Sequence, residues 1–251
     1  MDERKQWLTE DSFSRQEELV FVDCDARRRA RLAALLSLMA ATAGNDYTAR
    51  GLTYEKMSAM RQVFLLSRIA LRVHRHPEAD ECLTVTTWEN GIKGVHLQRN
   101  YEMTDRTGEL CISGKSEWIL VNPETRKILR PDTFAGKKFT RCPKEIDCPD
   151  CKKVTLPREG LDFLGNRTVV YSDLDGNGHV YSGKYGDIFW DYLPRELQRA
   201  DWKEFYINYS REAVQGEELS LYGFREGGSY RIEGLARGEH CFTGECVFET
   251  E

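Results

Sequence analysis

No stretch of the 251-residue chain is apolar for long enough to cross a bilayer: the longest, Leu32 to Ala43, is interrupted by Ser37 and Thr42. No basic excess is present either, the formal charge being −5, so there is no stripe of cations of the kind nucleic acid requires. The first ten residues, MDERKQWLTE, contain no apolar core of a secretory signal and none of the Ser/Arg-rich, acid-poor make-up of a transit peptide. A cytoplasmic protein acting on neither membrane nor nucleic acid is the expectation. Disorder is excluded by composition, since 40% of the residues are hydrophobic and support a sizeable core.

Eight cysteines are present, but a chain of this size without a signal segment is not expected to pair them. Cys24, Cys82, Cys111 and Cys246 stand among strand-like residues and read as small buried hydrophobes. Cys142-x5-Cys148-x2-Cys151 is the exception, and with Cys241 or His240 it could hold zinc. A second CxxC is missing, so a reduced linker is favoured and no metal or cofactor is expected.

The chain reads as two similar halves. A strand is expected at Phe13 to Phe21, then, after Asp25, a helix to about Gly44, whose Leu32, Leu35, Leu36, Met39, Ala40 and Ala43 recur at helical spacing. Four strands follow, at Leu65 to Val73, Cys82 to Trp88, Val95 to Thr104 and Glu109 to Val121, with turns at Asn90-Gly91 and Asp105 to Gly108. Four of the seven prolines then fall between Arg130 and Pro157, which marks a linker. Beyond it the order repeats: a strand at Arg167 to Ser172, a helix carrying Tyr181, Tyr185, Ile188 and Tyr192 and closed by Pro194, and strands near 204–211, 218–224, 230–235 and 240–248. The expected class is α+β, with domains at 1–130 and 158–251 joined by 131–157. One apolar helix per antiparallel sheet suggests a tandem hot-dog fold, each sheet wrapped around its helix.

The densest chemistry is Ser172-Asp-Leu-Asp-Gly-Asn-Gly-His-Val-Tyr-Ser182. An EF-hand loop is excluded, because Lys184 stands where its bidentate Glu belongs. A nucleophile elbow is excluded too, since Ser182-Gly183 lacks the G-x-S-x-G frame. A plain Asx-rich turn leading into a helix remains, as does a catalytic loop in which Asp175, Asn177 and His179, at alternate positions, face one substrate.

This segment resembles the signature of plant and bacterial acyl-acyl-carrier-protein thioesterases, S-D-L-D-x-N-x-H-V, whose catalytic Asp, Asn and His fall on Asp175, Asn177 and His179. Tyr209-Ser-Arg-Glu-Ala213 is similar to the family's Y-x-R-E-C and places its catalytic Glu on Glu212. Thr87-Trp88, Ser116-x-Trp118, Asn122 and Thr125-Arg126-Lys127 resemble further family runs, so the likeness extends over nearly the whole chain. It implies hydrolysis of fatty acyl-carrier-protein thioesters with no cofactor, acyl carrier protein as the partner that carries the substrate, and a fold that leaves a homodimer open. It also implies a first helix lining the acyl tunnel through Leu32, Leu35, Leu36 and Met39, and the run Arg27-Arg28-Arg29 with Arg31 suggests that Arg28 and Arg29 meet the acidic carrier. Two departures stand out: the family's H-V-N-N is His179-Val-Tyr-Ser182, and its Cys after the Glu is Ala213, which leaves carboxylate chemistry. The backbone N–H groups of Val180 to Ser182 are the expected oxyanion donors. Competing functions are a hot-dog acyl-coenzyme A thioesterase, a hot-dog dehydratase and a non-catalytic acyl-binding module.

Overall fold

The computed structural model describes residues 6–249; Met1 to Lys5 of the charged N-terminal stretch lie outside the described residues. In the first half, β1 (Gln6–Leu8) and β2 (Ser12–Glu18) precede α1 (Leu32–Ala49) and the short α2 (Tyr54–Ala59). β3 (Val63–Val73), β4 (Cys82–Lys93), β5 (His96–Thr104), β6 (Leu110–Val121) and the two-residue β7 (Ile128–Leu129) follow. The second half repeats the order with β8 (Asp162–Thr168), α3 (Lys184–Asp191), α4 (Arg195–Gln198), β9 (Trp202–Tyr209), β10 (Glu218–Glu226), β11 (Ser229–Ala236) and β12 (Glu239–Phe248). Among the described residues these strands form one antiparallel sheet, ordered β1-β2-β4-β5-β6-β3-β9-β12-β11-β10-β8, with β7 on β6. Each half is a hot-dog fold, and the halves join where β3 pairs with β9.

The sheet curls around α1 and α3, whose apolar surfaces bury against it and against each other. Leu35, Leu36 and Met39 of α1, and Ile188 and Phe189 of α3, are fully buried in one core shared by both halves. Two glycines let the helices come close. A Cβ on Gly114 of β6 would stand 2.7 Å from Met39, and one on Gly244 of β12 would stand 2.8 Å from Phe189. The repeat extends to single residues. The short 3-10 turns Phe21–Asp23 and Tyr171–Asp173 lead into the same tight turn in each half, closed by the bridges Cys24–Ala30 and Leu174–Val180.

Most expected strands lie within a few residues of those observed, but the one expected at Arg167 to Ser172 does not: β8 is Asp162–Thr168, and Tyr171–Asp173 belongs to the turn that follows. The turn at Asp105 is held by its own carboxylate, which accepts from the Thr107 and Glu109 N–H groups. The helices differ more. α1 starts at Leu32 and runs through Gly44-Asn45 to Ala49, because Thr42, Ala43 and Asp46 are buried and packing outweighs the weak local stop. α3 spans only Lys184–Asp191, so Tyr181 and Tyr192 flank it. Asn90-Gly91 does not end β4 but forms an irregularity within it, between Glu89 and Ile92.

The arginine run serves the interior contact between halves. Arg27 and Arg29 both donate to Asp201, whose carboxyl they hold below its usual range, the Arg27 hydrogen bond foremost. Arg28 is exposed at φ 63°, 3.8 Å from Asp80. Neither Arg28 nor Arg29 lines the main cavity; Arg28 stays on the surface, and Arg29 is engaged by Asp201. Residues 134–157 contain no strand or helix and cross the outer face of the sheet. Phe134 and Phe139 stack at 5.3 Å, and Val154 packs on the junction residues Ala70 and Tyr206. The Cys148 and Cys151 thiols turn to the carbonyls of Ala70 and Lys115, and burial pushes Cys148 up to about 12. Cys241 lies apart from them, beside Arg211, and no metal-holding group of His, Cys, Asp and Glu occurs among the described residues. Among the same residues no helix is long and apolar enough to cross a membrane.

Candidate active site

A cavity of about 470 Å³ opens between the halves, and His179, Asn177 and Glu212 of the second half line it together with residues of the first. His179 leaves the tight turn that follows β8. The Asp175 N–H donates to the His179 carbonyl at 2.8 Å, the Gly178 N–H donates to the Asp175 carbonyl, and Gly178 takes φ 79°. Glu212 stands in the loop after β9, not in the strand itself, which ends at Tyr209. That loop is clasped by Arg211, which donates two hydrogen bonds to Glu217 at 3.1 and 2.6 Å. The Val180 N–H donates to the Ala213 carbonyl at 2.9 Å and so ties the two loops together.

The result places His179 Nδ1 3.5 Å from Glu212 Oε1, with both side chains about one-quarter exposed. This is longer than a formed hydrogen bond, and such pairs shorten when substrate closes the site. The other oxygen, Oε2, accepts from Arg126, which reaches over from the first half. The Tyr54 hydroxyl of α2 stands 3.4 Å from Asn177 Oδ1, which leaves the Asn177 amide N–H free to face the cavity.

Asp175 does not line the cavity. The segment is a turn and not an extended strand, so Asp175 does not share the face of Asn177 and His179, and its carboxylate accepts from the N–H groups of Asn177 (2.8 Å) and His179 (3.3 Å). Asp25 does the same in the first half, accepting from Arg27 and Arg29. Asp175 therefore builds the turn that aims His179. Asp175→Ala is expected to lower kcat by about ten- to a hundredfold by misplacing that ring, whereas Asp175→Asn, which keeps the accepting oxygen, stays close to the parent. An Asn variant as impaired as the Ala variant in steady-state kinetics would return a proton-carrying role to Asp175.

Other expectations shift as well. The N–H groups of Val180 and Tyr181 are already bonded to the carbonyls of Ala213 and Asp173, so they are not oxyanion donors. Ala213 is fully buried and is not among the residues that line the cavity. Leu32, Leu35, Leu36 and Met39 face the core, not the cavity. The α1 wall of the cavity is Ala40, Ala43, Gly44 and Tyr47, the next turns of the same helix. The cavity wall also carries a buried polar network: Arg99 is 3% exposed, bonded to Asp46 at 2.8 Å, and Tyr47 donates to Glu89 at 3.1 Å.

Placing the two turns in register sets Ala40, Ala43 and Tyr47 against Trp190, Leu193 and Leu197, which belong to or pack against the core. Glu212 and His179 have His76 and Arg29 as their counterparts, and His76 packs edge-on to Trp202 at 5.5 Å. The small-residue run Ala40-Ala-Thr-Ala-Gly44 was the available sequence signal for the cavity wall. Tyr54 had no such signal, and Arg126 stood out only as part of a family-like run.

Two family models match in order: the acyl-ACP thioesterase N-terminal domain over residues 10–133 and the acyl-ACP thioesterase C-terminal domain over residues 162–235. A chloroplastic palmitoyl-acyl carrier protein thioesterase of Cuphea hookeriana is 26% identical over 202 residues, 74% of this chain and 48% of the relative. The chloroplastic oleoyl-acyl carrier protein thioesterase 2 of Arabidopsis thaliana is 22% identical over 234 residues, 84% of this chain and 62% of the relative. The chain thus spans about half to three-fifths of the length of these curated relatives. In fold it is similar to an acyl-ACP thioesterase from Bacteroides thetaiotaomicron, with TM-score 0.84, 24% identity and coverage of 95% of this chain and 98% of that one. The 12:0-ACP thioesterase from Umbellularia californica gives TM-score 0.85 at 21% identity, covering 98% and 100%.

Proposed function

Because this chain belongs to the acyl-ACP thioesterase family, we propose that it hydrolyses fatty acyl thioesters of acyl carrier protein, releasing free fatty acid and holo-carrier protein. The observation that carries the reading is the meeting of His179 and Glu212 on the wall of a largely apolar cavity of a size suited to an acyl chain. In this reading residues 1–130 supply the acyl pocket, 131–157 link the halves, and 158–251 supply the catalytic groups.

Both Glu212 oxygens have partners, so its role is to hold His179 rather than to attack. Glu212 fixes the proton on Nδ1, which leaves Nε2 to take a proton from water. The resulting hydroxide adds to the thioester carbonyl carbon, and the Asn177 amide donates to the oxyanion. Collapse of the tetrahedral intermediate breaks the C–S bond, and the imidazolium returns its proton to the leaving thiolate. The acid is released as carboxylate and the carrier as thiol, so no cofactor is needed.

Free-thiol release from acyl carrier protein charged with a range of chain lengths tests this, with the matching coenzyme A esters as control. The carrier-protein substrates are expected to give a kcat/KM about tenfold higher, or ~1.4 kcal/mol of discrimination. Equal values would assign the chain to coenzyme A esters, and thiol release from neither would leave an acyl-binding module.

A further inference from the structure

Arg126 belongs to the half that carries none of the reacting groups, yet its guanidinium ends on Glu212. The turn between β6 and β7 explains how. Asn122 Oδ1 accepts from the N–H groups of Glu124 and Thr125, both at 3.0 Å, and the Asn122 N–H and carbonyl bond to Lys127 and Arg126 at 2.9 Å. This closure puts Arg126 at φ 59°, a left-handed conformation that glycine would adopt more readily. The turn thus fixes the backbone from which the arginine side chain leaves.

Arg126 Nη2 donates to Glu212 Oε2, while Glu212 Oε1 faces His179 Nδ1 at 3.5 Å. One carboxylate is thus held at one oxygen by the first half and presents the other to the histidine of the second. All three side chains line the same cavity. A carboxylate on a loop can rotate about its side-chain bonds, and a guanidinium fixed at one oxygen removes that freedom and aims the other oxygen. Among the described residues Glu212 is the acidic partner of Arg126, while the nearby Arg61 is engaged by Glu124 at 3.4 Å.

We propose that Arg126 is a positioning residue for hydrolysis: it orients Glu212, and through it His179, across the junction of the two halves. The proposal rests on the thioesterase reading above. It also gives the first half a part in the chemistry besides holding the acyl chain.

The test is a double-mutant cycle in the full chain with Arg126→Gly, Arg126→Lys, Glu212→Gln and Arg126→Gly/Glu212→Gln. Arg126 is exposed and glycine suits its backbone, so the Gly variant removes the guanidinium and leaves the turn intact. Arg126→Gly is expected to lower kcat about tenfold with KM little changed, and Lys, or guanidinium added to the Gly variant, to restore part of it. In the Glu212→Gln background, removal of Arg126 should cost nothing further, because it acts only through that carboxylate. Losses that multiply, or a raised KM with kcat intact, overturn the proposal, the latter pattern assigning Arg126 to substrate binding. The imidazole nitrogen shifts of His179 by NMR give a readout without turnover. They should change in Arg126→Gly and be the same in the double variant as in Glu212→Gln. Unchanged shifts in Arg126→Gly sink the proposal even if the chain releases no thiol, whereas an absence of turnover with the expected shifts counts against the hydrolysis reading alone.

Discussion

Glu212→Gln is expected to lower kcat for thioester hydrolysis by about a hundred- to ten-thousandfold, with KM within about threefold of the parent. The amide keeps the size and one accepting oxygen but loses the charge that stabilises an imidazolium on His179, 3.5 Å away. It can also present N–H to Nδ1, which would favour the wrong tautomer. Glu212 is one-quarter exposed in a loop that Arg211 and Glu217 hold independently, so the melting temperature should stay near that of the parent. His179→Ala should fall to a similar level, and the double variant should be no worse than the poorer single one, since the two act as one unit. A Glu212→Gln protein with more than about half of the parental kcat would remove the dyad from the mechanism.

The second large effect concerns the acyl pocket. Gly44→Trp is expected to cut kcat/KM for the longest acyl chains accepted by about a hundredfold, with the shortest chains much less affected. Gly44 sits on the cavity wall, and a Cβ built there has no neighbour within 4 Å, so the indole enters the pocket instead of breaking the helix. Excluding three to four methylenes from burial forfeits about 2.4–3.2 kcal/mol, which is the expected factor. Gly44→Ala is a useful companion: it should stabilise α1 by up to about 1 kcal/mol and trim the pocket only slightly. Chain-length profiles of the three proteins decide the matter. A uniform loss across all lengths would place the acyl chain elsewhere.

Much of the fold was legible because runs of strand-forming residues are bounded by turn residues. β6 and β12 lie within about a residue of their expected places, although both are buried along nearly their whole length and not on alternate residues. The helix ends were not. Gly44-Asn45 looks like a stop, yet α1 continues over it because Asp46 is drawn into the buried pair with Arg99, a partner more than fifty residues away in sequence. Residue spacing also mistook the loop at Asp175 for an extended segment. Only the folded chain shows that His179 and Asp175 close a turn on each other, and that the carboxylate is used by two N–H groups.

By itself the sequence determined the two repeated halves, the absence of a bilayer-length apolar run, and the short signatures that contain His179 and Glu212. These are local properties: period, composition and residues a few positions apart. The tertiary structure alone decided which turn of α1 faces the cavity, that Arg27 and Arg29 are used by Asp201, and that Arg126 reaches Glu212. Each of those facts depends on the β3–β9 junction bringing one half against the other. A contact between residues 86 positions apart has no local signal, because its geometry is set by the register of a sheet and not by the residues that meet.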